Sequence, residues 1–180
     1  DLVLAYYSAF AMFFLIEWLM HNDKKSLILA GFFSGFTLFI KNDGVFCVLA
    51  FVLSLLLAKL FKLAKVNLQY IGYTLLAVVL PILPWLVFKF IYHLGLANTD
   101  GAFAWHPEIF KALYQALFVG NNWNVWWPIF IITSLFLVKK IFFQKILLPA
   151  WLMFIFMSSG IVAVYLFTEH YRWAMDHTAL

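Results

Sequence analysis

The sequence predicts an all-α protein: a polytopic transmembrane helical bundle of about six spans, with a short interfacial amphipathic helix in an outer loop. Three observations carry that expectation. First, 66% of the residues are hydrophobic and 11% are charged, whereas a soluble domain is about half apolar and a quarter charged. Mean hydropathy is +0.97. This excludes an ordinary globular domain, which needs polar surface, and a disordered chain, which needs low hydrophobicity and high charge. Second, the apolar residues form continuous runs. A lipid-facing barrel alternates apolar and polar residues along each strand, so helices are expected. Third, a crossing helix takes about 20 apolar residues plus a loop, and 180 residues bound the count accordingly.

The first span is expected from Leu2 to Met20, followed by the polar turn His21-Asn22-Asp23-Lys24-Lys25. A second runs from Ser26 to Ile40 and is short for a full crossing. Lys41-Asn42-Asp43-Gly44 breaks the run, and a third span follows from Val45 to Leu60. Lys59, Lys62 and Lys65 form a basic connector to the fourth span, Leu68 to Ile91, where Pro81 and Pro84 predict a kink. A longer polar segment runs from His93 to Asn124. Within it, His106-Pro107-Glu108 marks a helix start with proline at the first helical position. Ile109, Phe110, Leu113, Leu117 and Phe118 then fall on one face, as in a helix lying on the membrane surface. Trp123, Trp126 and Trp127 sit at the entry to the fifth span, Val125 to Val138, where an aromatic belt is expected. Lys139, Lys140 and Lys145 precede the sixth, Ile146 to Phe167, and a charged tail closes the chain. No sequence repeat is evident, so residues 1–180 are expected to form a single transmembrane domain.

Twelve Lys and Arg against eight Asp and Glu give a net charge of +4. In a membrane protein that excess reports topology, not a nucleic-acid partner. Lys24, Lys25, Lys59, Lys62, Lys65, Lys139, Lys140 and Lys145 fall on one side of the alternating spans, which is therefore expected to be cytoplasmic. The other side holds Lys41, Lys111 and Arg172, with Lys89 near that end of its span. Asp1, Asp43, Asp100, Glu108, Glu169 and Asp176 also fall there, as do His93, His106, His170 and His177. Acids contribute little to topology, so this clustering points to polar chemistry at the outer face.

Each candidate residue has two readings. Asp1 suits a base that activates an acceptor hydroxyl, or an acid complementing a helix dipole. The Lys41-Asn42-Asp43-Gly44 turn suits a cavity lining that meets a lipid phosphate, or an ordinary interfacial turn in which Gly44 supplies a permissive backbone. Gly31 and Gly35 with Ser34 beside them are a helix-packing signal. Lys89 and His93, one turn apart, suit a functional intramembrane charge or a snorkelling lysine. Trp105, His106 and Glu108 suit sugar contact, or the anchoring of an interfacial helix. Arg172, in the tail with Glu169, His170, Asp176 and His177, suits a phosphate. Cys47 is the single cysteine and forms no intrachain disulfide. No zinc spacing and no paired aspartates are present, so neither a metal nor another cofactor is expected. Nucleophile-elbow and P-loop patterns are absent as well.

The order of these features resembles the GT-C membrane glycosyltransferases, in particular the bacterial set similar to protein O-mannosyltransferases and lipid A aminoarabinose transferases. Asp1-Leu2-Val3-Leu4-Ala5 resembles that family's acidic residue and Leu-Ala at the opening of a span. Ala30-Gly31-Phe32-Phe33-Ser34-Gly35-Phe36 resembles its glycine-containing span. Leu38-Phe39-Ile40-Lys41-Asn42-Asp43-Gly44 is similar to its Lys-Asn-Glu-Gly turn, with Asp43 where Glu is commoner. Pro84-Trp85-Leu86-Val87-Phe88-Lys89 is similar to its Pro-Trp followed by a basic residue, and Thr168 to Leu180 resembles the start of its next outer loop.

The resemblance implies transfer of a sugar from a polyprenyl-phosphate donor to an acceptor hydroxyl on a lipid, glycan or protein. The transfer would occur with inversion, at the outer face of a bacterial cytoplasmic membrane. It also implies that the chain is the middle of a longer enzyme, inactive alone, whose principal catalytic carboxylate lies on an outer loop upstream. Under it Asp1 assists at the acceptor or sugar. Lys41 and Arg172 contact phosphate, with Lys89 behind them, and Asp43 orients Lys41. His106 completes the substrate-binding set, and Asp1, Lys41 and Arg172 are expected to converge on one cavity. A transporter or flippase for a lipid-linked or polar substrate is the alternative, since it too uses short broken spans and intramembrane charge. A structural subunit is a third option, but it would not need six acids on one face.

Overall fold

The computed structural model describes residues 2–64, 67–93, 104–119, 128–129, 131–136 and 147–168. Every regular element among the described residues is helical, and the protein is an all-α helical bundle. The principal helices are α1 (Leu2–His21), α2 (Lys24–Ile40), α3 (Val45–Leu60), α4 (Leu68–Ile91), α5 (Ile109–Tyr114) and α6 (Leu148–Phe167). Among the described residues, four stretches are long and apolar enough to cross a membrane: α1, Asn42–Leu60, Gln69–Ile91 and α6. The second expected span is α2, whose 17 residues reach about 25 Å at 1.5 Å per residue, short of the roughly 30 Å hydrocarbon core. Of the fifth expected span, residues 128–129 and 131–136 are helical and the remainder lies outside the described residues. The chain forms two compact units, Asp1–Ala97 with Gln144–Ser158, and Asn98–Phe143 with Ser159–Leu180.

In the first unit the helix ends follow from local chemistry. Asp23 caps α2, its carboxylate accepting from the Lys25 and Ser26 backbone N–H groups. Asn67 caps α4 by accepting from Gln69 N. Asn22, Lys62 and His93 adopt left-handed backbone (φ 52°, 53° and 50°) just past the ends of α1, α3 and α4, where the chain must leave the helix. At the end of α3 Leu63 N donates to Ala58 O at 2.9 Å, recovering a carbonyl the helix leaves open. α4 continues through Pro81 and Pro84 as one element, so the prolines do not divide it.

α2 is the central helix and packs most extensively on α4 and α1. Contacts along α2 and α4 rise in the same order, so the two run parallel. Lys24 Nζ donates to Tyr70 OH at 2.8 Å, and the sites of Gly31 and Gly35 face Thr74 and Val78, then Val78 and Pro81. Lys89 reaches Asn42 at the far end. A Cβ on Gly35 would lie 2.1 Å from the Val78 carbonyl oxygen, so Gly31 and Gly35 are the packing surface expected of them. Against α1 the same helix sets a row of rings: Phe33 stacks on Phe14 at 5.5 Å and on Phe10 at 5.3 Å, and Phe36 stacks on Tyr7 at 5.1 Å. Trp18, Leu15, Phe51 and Cys47 fill the core beneath, joined by Met153 from α6. The Ser54 hydroxyl, 2.9 Å from the Pro149 carbonyl, ties α3 to the first turn of α6.

In the second unit Ala104 and His106 donate backbone N–H groups to Phe167 O and Leu166 O at 3.3 and 2.9 Å. Trp105 rests against Phe167 (5.3 Å between centroids) and Phe110 (6.4 Å). The expected amphipathic helix is present as α5 but has six residues and passes into a π-helical turn, Gln115–Val119. Ile109 and Ala112 are buried, whereas Phe110 and Phe118 are exposed. A π turn adds a residue to the repeat, which breaks the apolar register that a continuous α-helix would keep.

Candidate functional site

The polar corner of the first unit is built where α2 stops. Lys41 leaves the helix in extended backbone, Asn42–Gly44 makes one 3-10 turn, and α3 begins at Val45. Thr37 fastens the turn: its hydroxyl lies 2.6 Å from Ser34 O and 3.1 Å from Gly44 O. Lys41 N donates to Thr37 O at 3.1 Å, and Gly44 N to Lys41 O at 2.9 Å. Gly44 has ordinary right-handed helical backbone (φ −59°, ψ −15°), so conformational freedom is not the reason for glycine here. A Cβ at that position would lie 2.1 Å from the Thr37 carbonyl carbon. Close approach of two backbones requires it.

Charge gathers on this turn. Lys41 Nζ lies 3.0 Å from Asp43 Oδ2, and both side chains remain partly exposed. Asp43 is thus placed to orient Lys41. Lys89 comes from the last turn of α4, with Nζ 3.5 Å from Asn42 Oδ1 and 4.5 Å from the centroid of the Trp85 ring one turn earlier. Lys89 is 8% exposed, so its side chain is folded inward against the turn. His93 does not continue its face: α4 ends at Ile91, and His93 follows in left-handed backbone. The turn also receives the carboxyl end of α2 and the amino end of α3. The latter directs helix N–H groups and a positive dipole end toward the same corner. Two lysines and a helix N-terminus around an amide suit an anionic oxygen-rich group, with Asp43 as the local counter-charge.

Lys41, Asp43 and Lys89 are therefore brought to one turn. His106 belongs to the second unit, where its side chain is 12% exposed and Nδ1 lies 3.3 Å from Glu108 Oε1. Asp1 and Arg172 lie outside the described residues, as do Asp100, Glu169, His170, Asp176, His177, the belt of Trp123, Trp126 and Trp127, and the basic residues Lys65, Lys139, Lys140 and Lys145. Among the described residues no group of three or more His, Cys, Asp or Glu could hold a metal ion. Sequence reasoning assigned no role to Thr37, Asn42 or Trp85. Trp85 carried a signal, four residues before a lysine and hence one turn below it on a helix. Thr37 carried none, because its partner is a backbone carbonyl across a turn. No protein-family model matches the chain, and neither a curated protein nor a solved structure matches it.

Proposed function

We propose that the chain is the membrane-embedded part of a glycosyltransferase that takes a sugar from a polyprenyl-phosphate donor and moves it to an acceptor hydroxyl at the outer face of a bacterial cytoplasmic membrane. The observation that carries the reading is the inward-folded Lys89 beside the Lys41–Asp43 pair, at the end of the bundle opposite Lys24 and Lys25. A buried ammonium is costly in an apolar bundle and is a functional hypothesis by default. The resemblance of the turn, the glycine span and the Pro84-Trp85 segment to GT-C enzymes supplies the reaction.

The chemistry suits those residues. Phosphate on the donor is already a leaving group. Attack by the acceptor oxygen at the anomeric carbon breaks the bond to the phosphate oxygen, and the departing polyprenyl phosphate gains negative charge. Lys41 and Lys89 would steady that charge, with Asn42 as a neutral donor between them. Deprotonation of the acceptor falls to a carboxylate, for which Asp1 and the upstream loop are the candidates. The test is radiolabelled sugar transfer from polyprenyl-phosphate donors by membranes containing the full-length protein. Lys41→Ala is expected to lower transfer about tenfold or more, from the loss of a charge-assisted contact, at unchanged membrane insertion. Unaltered transfer by a properly inserted variant would count against the assignment.

A further inference from the structure

The end of the first unit opposite the Lys41–Gly44 turn carries a second concentration of charge, which the proposed reaction leaves unused. Lys24 and Lys25 open α2. Lys59 lies in the last turn of α3, and Lys62 follows it. α3 returns from the turn with 16 residues against the 17 of α2, so its basic end comes back level with the start of α2. Leu27, Leu55 and Ala58 belong to one buried cluster, and Leu63 and Tyr70 pack against it. All four lysines are exposed. The acids near them are already engaged: Glu17 holds His21 at 3.2 Å, and Asp23 caps α2 and accepts from Ser26 Oγ at 2.7 Å. Lys24 is held in place. Its Nζ donates to Tyr70 OH at 2.8 Å and lies 4.3 Å from the centroid of that ring. Tyr73 meets the Tyr70 ring edge-on at 6.2 Å, and Gln69 Nε2 donates to Tyr73 OH at 3.2 Å. An ammonium has three donors and a phenol has one. Lys24 uses one of its donors on the Tyr70 oxygen, which leaves two N–H groups and the phenolic proton for a ligand. Donors of this kind beside a positive charge match the free oxygens of a phosphodiester.

We propose that this end of the first unit binds anionic phospholipid. Lys24 and Tyr70 hold the headgroup phosphate, and Lys25, Lys59 and Lys62 attract the negatively charged leaflet around it. The phosphate belongs to a lipid because of where the lysines stand. Asn42–Leu60 and Gln69–Ile91, both long and apolar enough to cross a membrane, reach its surface at this end. Leu60 and Phe61 are exposed between Lys59 and Lys62. Apolar side chains there can enter the acyl boundary while the neighbouring ammonium groups stay among the headgroups. The proposal is independent of any reaction assigned to Lys41 and Lys89.

Native mass spectrometry of the full-length protein, titrated in detergent with phosphatidylglycerol or phosphatidylcholine, tests it. The wild type is expected to retain phosphatidylglycerol the more strongly. Lys24→Gln/Tyr70→Phe keeps both side-chain stems but removes the ammonium and the phenolic proton. It is expected to weaken phosphatidylglycerol binding about fivefold or more and to narrow the preference over phosphatidylcholine. Lys24→Arg restores the charge and is expected to keep the preference. The melting temperature in phosphatidylcholine nanodiscs checks that the double variant folds. Should it not, Tyr70→Phe alone carries the test, since it keeps the ring beneath Lys24 and loses the phenolic donor, and it is expected to bind phosphatidylglycerol more weakly than the wild type. Equal phosphatidylglycerol binding by wild type and a folded double variant would overturn the proposal, as would a wild type that does not distinguish the two lipids. Inorganic phosphate that displaces phosphatidylglycerol from the wild type would show a site for a free anion and overturn the assignment to lipid.

Discussion

Lys89 keeps an ammonium group at 8% exposure in an otherwise apolar bundle, and its neighbours explain how. The Trp85 ring offers its negative face at 4.5 Å, worth roughly 0.5–2 kcal/mol where water is excluded, and Asn42 offers a carbonyl oxygen. Replacing this lysine separates function from folding. Lys89→Met keeps the length and apolar stem, so the melting temperature is expected to hold or rise, while the sugar transfer proposed above is expected to fall about tenfold or more, as for loss of a charge-assisted bond. Transfer at the wild-type rate by Lys89→Met would remove Lys89 from the site. Asp23, at the opposite end of α2, shows a charge used for structure alone. The Ser26 hydroxyl and then the Ser26 N–H hold its carboxyl below the usual carboxylate range. A lowered folded-state pKa means that its contribution is complete above the ordinary carboxylate pKa and is lost as pH falls through the lowered value. Melting temperature should therefore decline on acidification in this window. In Asp23→Asn, which keeps an acceptor at the cap without a titrating group, that part of the decline should vanish. An identical pH dependence for the two proteins would show that the cap does not titrate.

At the scale of elements, the decisive contact is α2 on α4. Pairing of transmembrane helices depends on close packing, because lipid tails are as apolar as leucine side chains. Gly35 permits the approach, with the Val78 carbonyl oxygen where its Cβ would be. Gly35→Ala is expected to destabilise the bundle by about 1–3 kcal/mol, the usual cost of overpacking. Gly72 lies on α4 with nothing within 4 Å of its Cβ position. Gly72→Ala should instead be neutral, or stabilising by up to about 1 kcal/mol from helix propensity. Unfolding of both variants in mixed detergent measures the difference, and equal effects would remove Gly35 from the interface. The bounds of α3 and α4 were legible from sequence to the residue, because charged or capping residues flank each apolar run. The short length of α5 was not. A π turn follows from backbone hydrogen bonding, for which the side-chain pattern gives no sign.

For the whole molecule, the sorting of charge between the two ends follows from the order of the helices. Parallel α2 and α4 put Lys24 beside Tyr70 at one end and Asn42 beside Lys89 at the other. Glu17 and His21 pair at 3.2 Å near the first of these ends. With lysines biased to the cytoplasmic side, cysteines introduced at Lys25 and Asp43 in a Cys47→Ala background should be labelled from opposite faces of intact cells by a membrane-impermeant thiol reagent. Asp43 should be the outward one. Labelling of both from the same face would contradict the crossing of α2, whose 17 residues are short for a full span.

Composition alone determined the class: with 66% hydrophobic residues and 11% charged, this chain has too little polar surface to face water and can fold stably only where lipid replaces it. Run lengths and flanking charges then determined where most helices begin and end, because backbone groups in an apolar medium must be satisfied within the segment itself. Which residues meet was decided by tertiary structure. Lys89 and Asn42 are 47 positions apart, and Lys24 and Tyr70 are 46 positions apart. These meetings depend on the parallel register of α2 and α4 and on the contact distance that Gly35 and Gly44 allow. That distance is a relation between two backbones, so neither segment's sequence specifies it alone.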